Sequence, residues 1–363
     1  MILIFTLSRD QGTNGVVAWL DRYGQEVVRI NDDEPGLPEV SVELDNHGVR
    51  LHVDGKSYSE ADISAIWYRK GGGWFPAEPL VPEFPGQDSF NDLLERKLKA
   101  ESRTATEYFH HLMRDRGVRT LGNWFLGDPN KLILLHEARR LGLKVPAFEV
   151  LDRLTDRHRA NPSRYVTKAL SDGIYHWDND GAQRGYFSYT EELGEVLKEG
   201  PADGAIPLSL LQEKIEKRFE VRSFYLDGTF TSAAIYSQED AQTAVDFRKY
   251  NQERPNRNVP INLPEDVAAK LDALFRKLEL TTGSVDMIVD RDGEFVFLEI
   301  NPMGIYGGIA EICNFDIDQS IAKWLSGGEK DENALQARNV GRAGSEPAAR
   351  LSDRLFQTAD QSE

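Results

Sequence analysis

The chain alternates between short apolar runs and polar stretches, and this pattern predicts strands and helices in mixed order. A continuous apolar run at Ile2–Leu7 predicts a buried central strand, and apolar positions at helical spacing from Gly15 to Tyr23 predict a helix after it. Glu26–Ile30 predicts the next strand. A strand, a helix and a second strand in succession are typical of an α/β domain.

Helical periodicity also predicts two longer helices, Asp88–Arg116 and Pro264–Leu278. Alternation of apolar and polar residues instead predicts antiparallel hairpins, which pair Val40–Asp45 with Val49–Val53 and Phe219–Leu226 with Thr229–Tyr236. From residue 329 onward the chain is low in hydrophobic residues and has no clear periodicity, which predicts a disordered tail.

A further hairpin is predicted between Gly283 and Pro302. Its two β-rich runs, Ser284–Asp290 and Phe295–Ile300, flank the dipeptide Asp292-Gly293, which is typical of a two-residue hairpin loop. We therefore expect the register of the two strands to follow from this turn.

Counting back from that turn places Asp286 directly opposite Glu299, and Ile288 opposite Phe297. Asn301, two residues beyond Glu299, points to the same face. Two such close carboxylates repel each other unless a cation lies between them, and carboxylate and amide oxygens suit Mg²⁺. On the pattern alone, an ordinary solvent-facing hairpin with acidic ends remains an equal alternative.

Composition and charge narrow the class of protein. The 363 residues allow two or three domains, and 40% hydrophobic with 28% charged residues describe an ordinary soluble protein. A net charge of −17 argues against general nucleic-acid binding. The single cysteine, Cys313, excludes an internal disulfide and fits the cytoplasm, and no run approaches the roughly 18 apolar residues that a membrane span needs.

Two cation-rich segments stand out against this acidic background. The run from Val245 to Pro260 indicates a site for an anionic substrate or phosphate, although such runs are usually solvated loops. The segment Arg69-Lys-Gly-Gly-Gly-Trp-Phe follows a predicted strand, Ile63–Tyr68. It is either a flexible ligand loop or a mobile connection with solvated charges.

The order of motifs from about Leu121 to Leu325 resembles the ATP-grasp ligase superfamily. The motifs that carry this resemblance are Asn130-Lys131 before a helix, Gly142-Leu-Lys-Val-Pro, Lys168 on a strand, Gln212-Glu-Lys-Ile, Arg222 on a hairpin, Val285-Asp and Leu298-Glu-Ile-Asn-Pro. Within the superfamily the chain resembles the graspetide maturases of the grasp-with-SPASM type. The segments of this closer resemblance are Ile66-Trp-Tyr-Arg-Lys-Gly, Val221-Arg-Ser-Phe, Asp246-Phe-Arg-Lys-Tyr-Asn, Arg254-Pro-Asn-Arg-Asn-Val-Pro and Asn301-Pro-Met-Gly.

This resemblance implies an ATP-grasp fold of α/β and α+β class. We expect an N-terminal pre-ATP-grasp α/β domain at residues 1–122 and a central ATP-grasp/lid subdomain at residues 123–211. A C-terminal ATP-grasp subdomain with the metal site would follow at residues 212–328, before the tail at 329–363.

The resemblance also implies which residues bind ATP and Mg²⁺. Lys131 and Lys168 would contact the ATP phosphates, and Glu220 would bind the ribose. The residues expected at the adenine are Gln212, Glu213, Lys214 and Ile215. The Glu213 side chain and the backbone around Lys214 and Ile215 would form hydrogen bonds with it. The expected Mg²⁺ ligands, for two ions, are Asp286, Glu299 and Asn301.

Four further residues are expected at the reacting groups. Arg222 and Arg248 would meet the γ-phosphate or an acyl-phosphate intermediate. Asp246 would orient or deprotonate the nucleophile, or instead form a salt bridge with Arg248. Arg257 would pair with acidic residues of the substrate.

The implied activity is the ATP-dependent closure of a peptide macrocycle. An Asp or Glu side chain of a ribosomal precursor peptide would be phosphorylated to an acyl phosphate, then captured by a Ser or Thr hydroxyl or a Lys amine of the same peptide. The partner would be a precursor with a leader and an acidic, Thr-rich core, and a homodimer stays open. The alternatives are another ATP-grasp carboxylate–amine ligase, such as an amino-acid-adding or small-molecule ligase, and a non-catalytic peptide carrier.

Overall fold

The structure is a computed structural model. It describes residues 1–34, 38–70, 84–124, 129–171, 175–178, 184–187, 190–199, 205–238 and 255–328. The predicted tail at residues 329–363 lies outside these residues. No helix in the described ranges is long and apolar enough to cross a membrane.

The N-terminal third forms a parallel sheet with a small antiparallel sheet beside it. Its elements are β1 (Ile2–Thr6), α1 (Gln11–Arg22), β2 (Val27–Asn31), β3 (Val40–Asp45), β4 (Gly48–Val53), β5 (Lys56–Ser59), β6 (Ala65–Tyr68), α2 (Asp88–Asp115) and β7 (Arg119–Leu121). The parallel strands follow the order β2-β1-β6-β7, and β3, β4 and β5 form the second sheet. The predicted α/β start is confirmed, and β1 is buried along its whole length, as a central parallel strand should be.

Asp10 begins α1 and fixes the loop after β1. Its side chain accepts hydrogen bonds from the Thr13 amide at 3.2 Å and the Thr13 hydroxyl at 2.6 Å. The first of these gives a partner to a backbone N–H group in the first turn of the helix. Burial works to raise the pKa of Asp10. The charge of Arg69 and a hydrogen bond from Lys70 prevail, and the pKa falls to about 2.

The middle of the chain forms an antiparallel sheet with short helices. Its elements are α3 (Lys131–Arg140), β8 (Phe148–Arg153), α4 (Asp156–Ala160), β9 (Tyr165–Lys168), β10 (Tyr175–Asp178), β11 (Arg184–Phe187), β12 (Glu191–Glu192), α5 (Leu193–Glu199) and β13 (Ala205–Glu213). The strand order is β12-β9-β13-β8, and β10 pairs separately with β11.

The C-terminal part forms a five-stranded antiparallel sheet. Its elements are β14 (Lys217–Leu226), β15 (Thr229–Tyr236), β16 (Arg257–Ile261), α6 (Glu265–Lys277), β17 (Thr282–Asp290), β18 (Phe295–Asn301), α7 (Gly307–Cys313) and α8 (Ile317–Ser326). The strand order is β16-β15-β14-β17-β18. Pro260 lies on β16 at the edge of the sheet, where the missing N–H breaks no ladder.

Helices α3 and α6 cover one face of this sheet. Leu271 and Phe275 of α6 are fully buried against Val221 and Val285. Because side chains alternate along a strand, the neighbouring residues Arg222 and Asp286 point to the opposite face. The opposite face is therefore where the candidate site lies.

The end of the chain returns to the first sheet. Helix α8 packs against α1, and one hydrophobic core joins Ile4 and Trp67 of the first sheet to Ile321 and Leu325 of α8. Phe224 of β14 lies in the same core. The first and last parts of the chain are thus packed together, while the predicted domain boundaries remain a prediction.

Candidate active site

Asp286 and Glu299 are cross-strand neighbours on β17 and β18, as the sequence predicts. The predicted register closer to the turn is wrong by one residue, since Ile288 lies opposite Val296 and not opposite Phe297. The correct pairing of the two carboxylates therefore has a different structural cause from the one that the turn dipeptide suggests.

The loop of this hairpin spans three residues, 291–293. The Asp290 amide donates to the Glu294 carbonyl at 3.1 Å, and the Asp290 carboxylate accepts from the amides of Asp292 at 3.0 Å and Glu294 at 2.9 Å. A bulge at Leu298, the extra residue of β18, then shifts the register back by one. The bulge is what brings Glu299 opposite Asp286.

Arg222 is ion-paired to the predicted metal ligand Asp286. Its Nη1 atom lies 2.9 Å from both carboxylate oxygens, and the two residues are direct neighbours on β14 and β17. Its Nη2 atom donates to the Ser284 hydroxyl at 3.1 Å and to the Ile305 carbonyl at 3.0 Å. The guanidinium thus balances the charge of Asp286 at a place where the two side chains are about 15% exposed.

Asn301 ends β18 and its side chain shapes the loop that follows. Its Oδ1 atom accepts a hydrogen bond from the Met303 amide at 2.9 Å, and its carbonyl accepts one from the Gly304 amide at 3.0 Å. Asn301 lies opposite Ser284, the residue that Arg222 contacts. The three predicted metal ligands are therefore gathered on adjacent positions of one sheet face.

A cleft between the middle sheet and the C-terminal sheet contains most of the predicted site residues. Its empty volume, including the open mouth, is about 760 Å³. The predicted residues that line it are Lys168, Gln212, Glu213, Lys214, Ile215, Glu220, Asp286 and Glu299. Apolar walls come from Pro146, Val166, Val221, Met287, Ile288 and Leu298. An apolar cleft with a few convergent charges has the character of a small-molecule or cofactor site.

The segment Gln212–Ile215, predicted at the adenine, is held by hydrogen bonds to the middle sheet. The amides of Glu213 and Lys214 donate to the carbonyls of Ala147 and Arg164, each at 2.8 Å. The Glu213 carboxylate forms an ion pair with Arg164 at 3.0 Å. A ligand contact through the Glu213 side chain would therefore have to share or replace this pair.

The two predicted phosphate lysines converge at the end of β9. Asn130 caps α3 by accepting hydrogen bonds from the amides of the next turn, which makes Lys131 the first helical residue. The Lys131 ammonium donates to the carbonyls of Ala169 at 3.3 Å and Ser171 at 2.7 Å. These carbonyls lie one and three residues after Lys168, so the Lys131 ammonium contacts the chain just beyond the end of β9.

The remaining predicted site residues are Asp246, Arg248 and Arg257. Asp246 and Arg248 are outside the described residues. Arg257 pairs with Tyr236, whose ring is 5.4 Å from that of Phe219, on the sheet face opposite to Arg222. The register therefore does not bring Arg257 to the carboxylate pair, because Asn258, one residue later, takes the position on the site's face.

Lys217 is a cleft residue that the sequence does not predict. It lines the cleft beside Glu220, forms an ion pair with it, and its side chain is only 7% exposed. The spacing Lys-x-x-Glu would place the two residues on opposite faces of a regular strand. An irregularity between Lys217 and Phe219 changes this alternation, so pattern analysis could not have found the pair.

Among the described residues, no three His, Cys, Asp or Glu side chains form a cluster that could hold a metal ion. The candidate magnesium site thus consists of two carboxylates and one carboxamide. Such all-oxygen donors fit Mg²⁺, which binds few protein ligands and keeps other positions for water and phosphate oxygens.

Gly304 allows the loop after β18 to approach the sheet closely. Its φ is +60°, and a Cβ atom there would lie 3.0 Å from a ring carbon of Phe224. We expect Gly304→Ala to lower the free energy of unfolding by about 2 kcal/mol, from backbone strain and crowding together. Urea unfolding followed by circular dichroism measures this loss.

Gly55 provides the matched control for this prediction. Its φ is +76°, but a Cβ atom there would meet nothing within 4 Å. Gly55→Ala should therefore lower stability by only about 1 kcal/mol, the backbone term alone. Equal losses for the two variants would show that the contact with Phe224 carries no strain.

Comparison with known proteins identifies the fold. Residues 1–84 match the family model of the MvdD pre-ATP-grasp domain. Comparison with curated protein sequences finds no match.

Solved ATP-grasp ligases share the architecture over almost the whole chain. A RiPP-associated ATP-grasp ligase from Chryseobacterium gregarium, in complex with ADP and a leader and core peptide, has a TM-score of 0.68 at 23% identity, covering 90% of this chain and 96% of that one. The macrocyclase MdnC from Microcystis aeruginosa MRC, bound with precursor peptide MdnA, has a TM-score of 0.62 at 24% identity, covering 90% and 99%. PsnB with minimal precursor, Mg and ADP has a TM-score of 0.62 at 17% identity, covering 90% and 96%.

These similarities show that the chain has the ATP-grasp fold with a pre-ATP-grasp domain at its N-terminus. The fold class predicted from the sequence is therefore confirmed. The solved structures that share the fold are those of ATP-grasp ligases, several of them in complex with precursor peptides. The finer resemblance to the grasp-with-SPASM type stays a prediction.

Proposed function

We propose that this protein is an ATP-dependent peptide macrocyclase, a ligase that activates Asp or Glu side chains of a precursor peptide. The observation that carries the proposal is the pairing of Asp286 with Glu299 inside the cleft that Lys168 and Glu220 also line. That arrangement offers a metal site and a phosphate-binding cation in one apolar cleft. The fold shared with precursor-bound ATP-grasp ligases supports a peptide as the substrate.

The nucleotide would lie in the cleft between the two sheets. The apolar walls would pack against adenine, with the segment Gln212–Ile215 at its edge, and Glu220 would accept hydrogen bonds from the ribose. Lys168 and Lys131, at the end of β9, would face the phosphates. Ammonium groups there would neutralise phosphate charge.

Asp286, Glu299 and Asn301 would hold magnesium, and we expect two ions. Bound Mg²⁺-ATP supplies the phosphoryl group and the charge neutralisation that turn a carboxylate into an acyl phosphate with a good leaving group. Arg222 orients Asp286 from the neighbouring strand by contacting both carboxylate oxygens, and its guanidinium would also meet a phosphate bound there. Asp246 and Arg248 would act from the segment between β15 and β16.

The chain's own residues would then favour ring closure over hydrolysis by holding the activated side chain beside its nucleophile. The nucleophile would be a Ser or Thr hydroxyl for an ester or a Lys amine for an amide. Asp246 is our candidate for orienting it. Arg257, which the register places on the other sheet face, would pair with acidic residues of the peptide away from the carboxylate pair.

Two finer features complete the proposal. The precursor would carry a leader and an acidic, Thr-rich core. The enzyme would work in the cytoplasm, where ATP is available and the single thiol, Cys313, stays reduced. A homodimer stays open.

Mass spectrometry tests the reaction. The protein is incubated with Mg²⁺-ATP and a candidate short acidic, Thr-rich peptide from a neighbouring reading frame, and both ADP and peptide mass are measured. Peptide-dependent ADP release with loss of one water per crosslink is the expected result. A gain of amino-acid mass would show another carboxylate–amine ligase, and a bound peptide without ADP release would show a carrier.

A further inference from the structure

Arg69 is a buried cation at the end of β6. Its side chain is 5% exposed, and its Nε atom lies 3.0 Å from the Asp10 carboxylate at the start of α1. Removing a buried charge from its partner is costly, so this ion pair fixes the position of the guanidinium. Arg69 is therefore part of the packed structure, and the predicted flexible or solvated loop can only begin after it.

The far end of the guanidinium leaves the first sheet and reaches the loop after β18. Its Nη1 atom donates to the carbonyls of Met303 and, at 3.0 Å, Gly304. The guanidinium carbon also lies 5.1 Å from the centre of the Tyr306 ring. One side chain of the N-terminal sheet thus holds successive residues of this loop.

The same loop is attached to the candidate metal ligands. The Met303 amide donates to the Asn301 side chain at 2.9 Å. The Ile305 carbonyl accepts from Arg222, which also holds Asp286. The loop is consequently fixed from two sides, by Arg69 of the N-terminal sheet and by Arg222 of the C-terminal sheet.

We propose that Arg69 is a positioning residue for the magnesium site, acting through the loop 303–305 on Asn301 and Arg222. This inference rests on the proposed function, because it concerns the same metal ligands. Groups that orient metal ligands change metal affinity by about 10-fold to 100-fold when they are lost. The N-terminal domain would thereby contribute to catalysis through the shape of the metal site.

Arg119 offers a matched control. It also extends from the N-terminal sheet, and it donates to two backbone carbonyls of the C-terminal part, Trp324 and Leu325, each at 3.0 Å. These carbonyls belong to α8 and not to the loop after β18. Its loss should remove a similar number of bonds without touching the metal ligands.

The test measures ADP binding by titration calorimetry, once with Mg²⁺ and once with EDTA, on the full chain. In Arg69→Met we expect the gain in ADP affinity due to Mg²⁺ to fall about tenfold, equivalent to about 1.4 kcal/mol. ADP affinity in EDTA should stay within about twofold, and Arg119→Met should keep the full Mg²⁺-dependent gain. If Arg69 had only a structural role, Arg69→Met would lower ADP affinity equally with Mg²⁺ and with EDTA.

An equal Mg²⁺-dependent gain in Arg69→Met and Arg119→Met would overturn the inference. Should thermal unfolding show that Arg69→Met does not fold, Arg69→Lys replaces it, and its Mg²⁺-dependent gain in ADP affinity is compared with that of Arg119→Met. Lysine keeps a cation beside Asp10, but a single ammonium cannot reproduce the forked contacts with both carbonyls. If wild-type protein shows no Mg²⁺-dependent ADP binding, the proposed function itself fails, which is a distinct result.

Discussion

Glu299→Gln is expected to lower the rate of ADP formation from Mg²⁺-ATP by about a thousandfold, on the order of 4 kcal/mol of activation free energy. Glutamine keeps the size and the hydrogen-bonding capacity of the side chain but removes a charge from the carboxylate pair. The metal would then have one carboxylate ligand, Asp286, beside neutral carboxamide oxygens. A coupled assay of ADP, with the acidic peptide of the mass-spectrometric test, measures the rate.

Asp290→Asn is the control for this variant. Asp290 lies on the same strand as Asp286, but its carboxylate bonds Lys144 at 2.6 Å, outside the residues that line the cleft. Asparagine keeps the Oδ1 atom that accepts from the amides of Asp292 and Glu294. It should keep the wild-type rate below its melting temperature. Undiminished Mg²⁺-dependent turnover in Glu299→Gln would remove the metal assignment. Asp286→Asn is a less direct test, because it also leaves Arg222 without its ion-pair partner.

Lys168→Met is expected to weaken ADP or ATP binding by about a hundredfold, near 2.7 kcal/mol, since a charge-assisted contact in a cleft would be lost. Methionine preserves much of the length and the apolar stem of lysine. The side chain should therefore still cover the cleft wall beside Val166 and Gln212. Equilibrium titration with a nucleotide, together with the Michaelis constant for ATP, measures the change.

Lys277→Met serves as its control. Lys277 forms an ion pair with Glu137 between α6 and α3, on the sheet face away from the cleft. This variant should bind nucleotide like the wild type. Were Lys168→Met to bind nucleotide equally well, Lys168 would be a structural residue and the phosphates would have to lie elsewhere.

The secondary structure near each motif is local and was largely predictable. Asn130 caps α3 through its own side chain, and Asp227-Gly228 joins β14 to β15, because both features depend on residues within one turn. The helix Glu265–Lys277 follows from apolar positions that recur every three or four residues. No distant contact is needed to form these elements.

The register of the carboxylate hairpin shows the limit of local prediction. The dipeptide Asp292-Gly293 indicates a two-residue loop, but the Asp290 side chain accepts from the amides of Asp292 and Glu294, and the loop has three residues. The bulge at Leu298 then restores the pairing of Asp286 with Glu299. Two deviations of one residue each cancel, and neither is visible in a pattern of period two.

The sequence by itself determined the elements, the acidic pair and the order of motifs that the ATP-grasp fold confirms. Only the tertiary structure decided which of these residues meet. It directs Arg257 away from the site, joins Arg222 to Asp286, and carries Arg69 from the first sheet to the loop beside Asn301. Periodicity reports which side of one strand a residue occupies. The packing of separate sheets, set by a core shared between the two ends of the chain, decides which sides face each other.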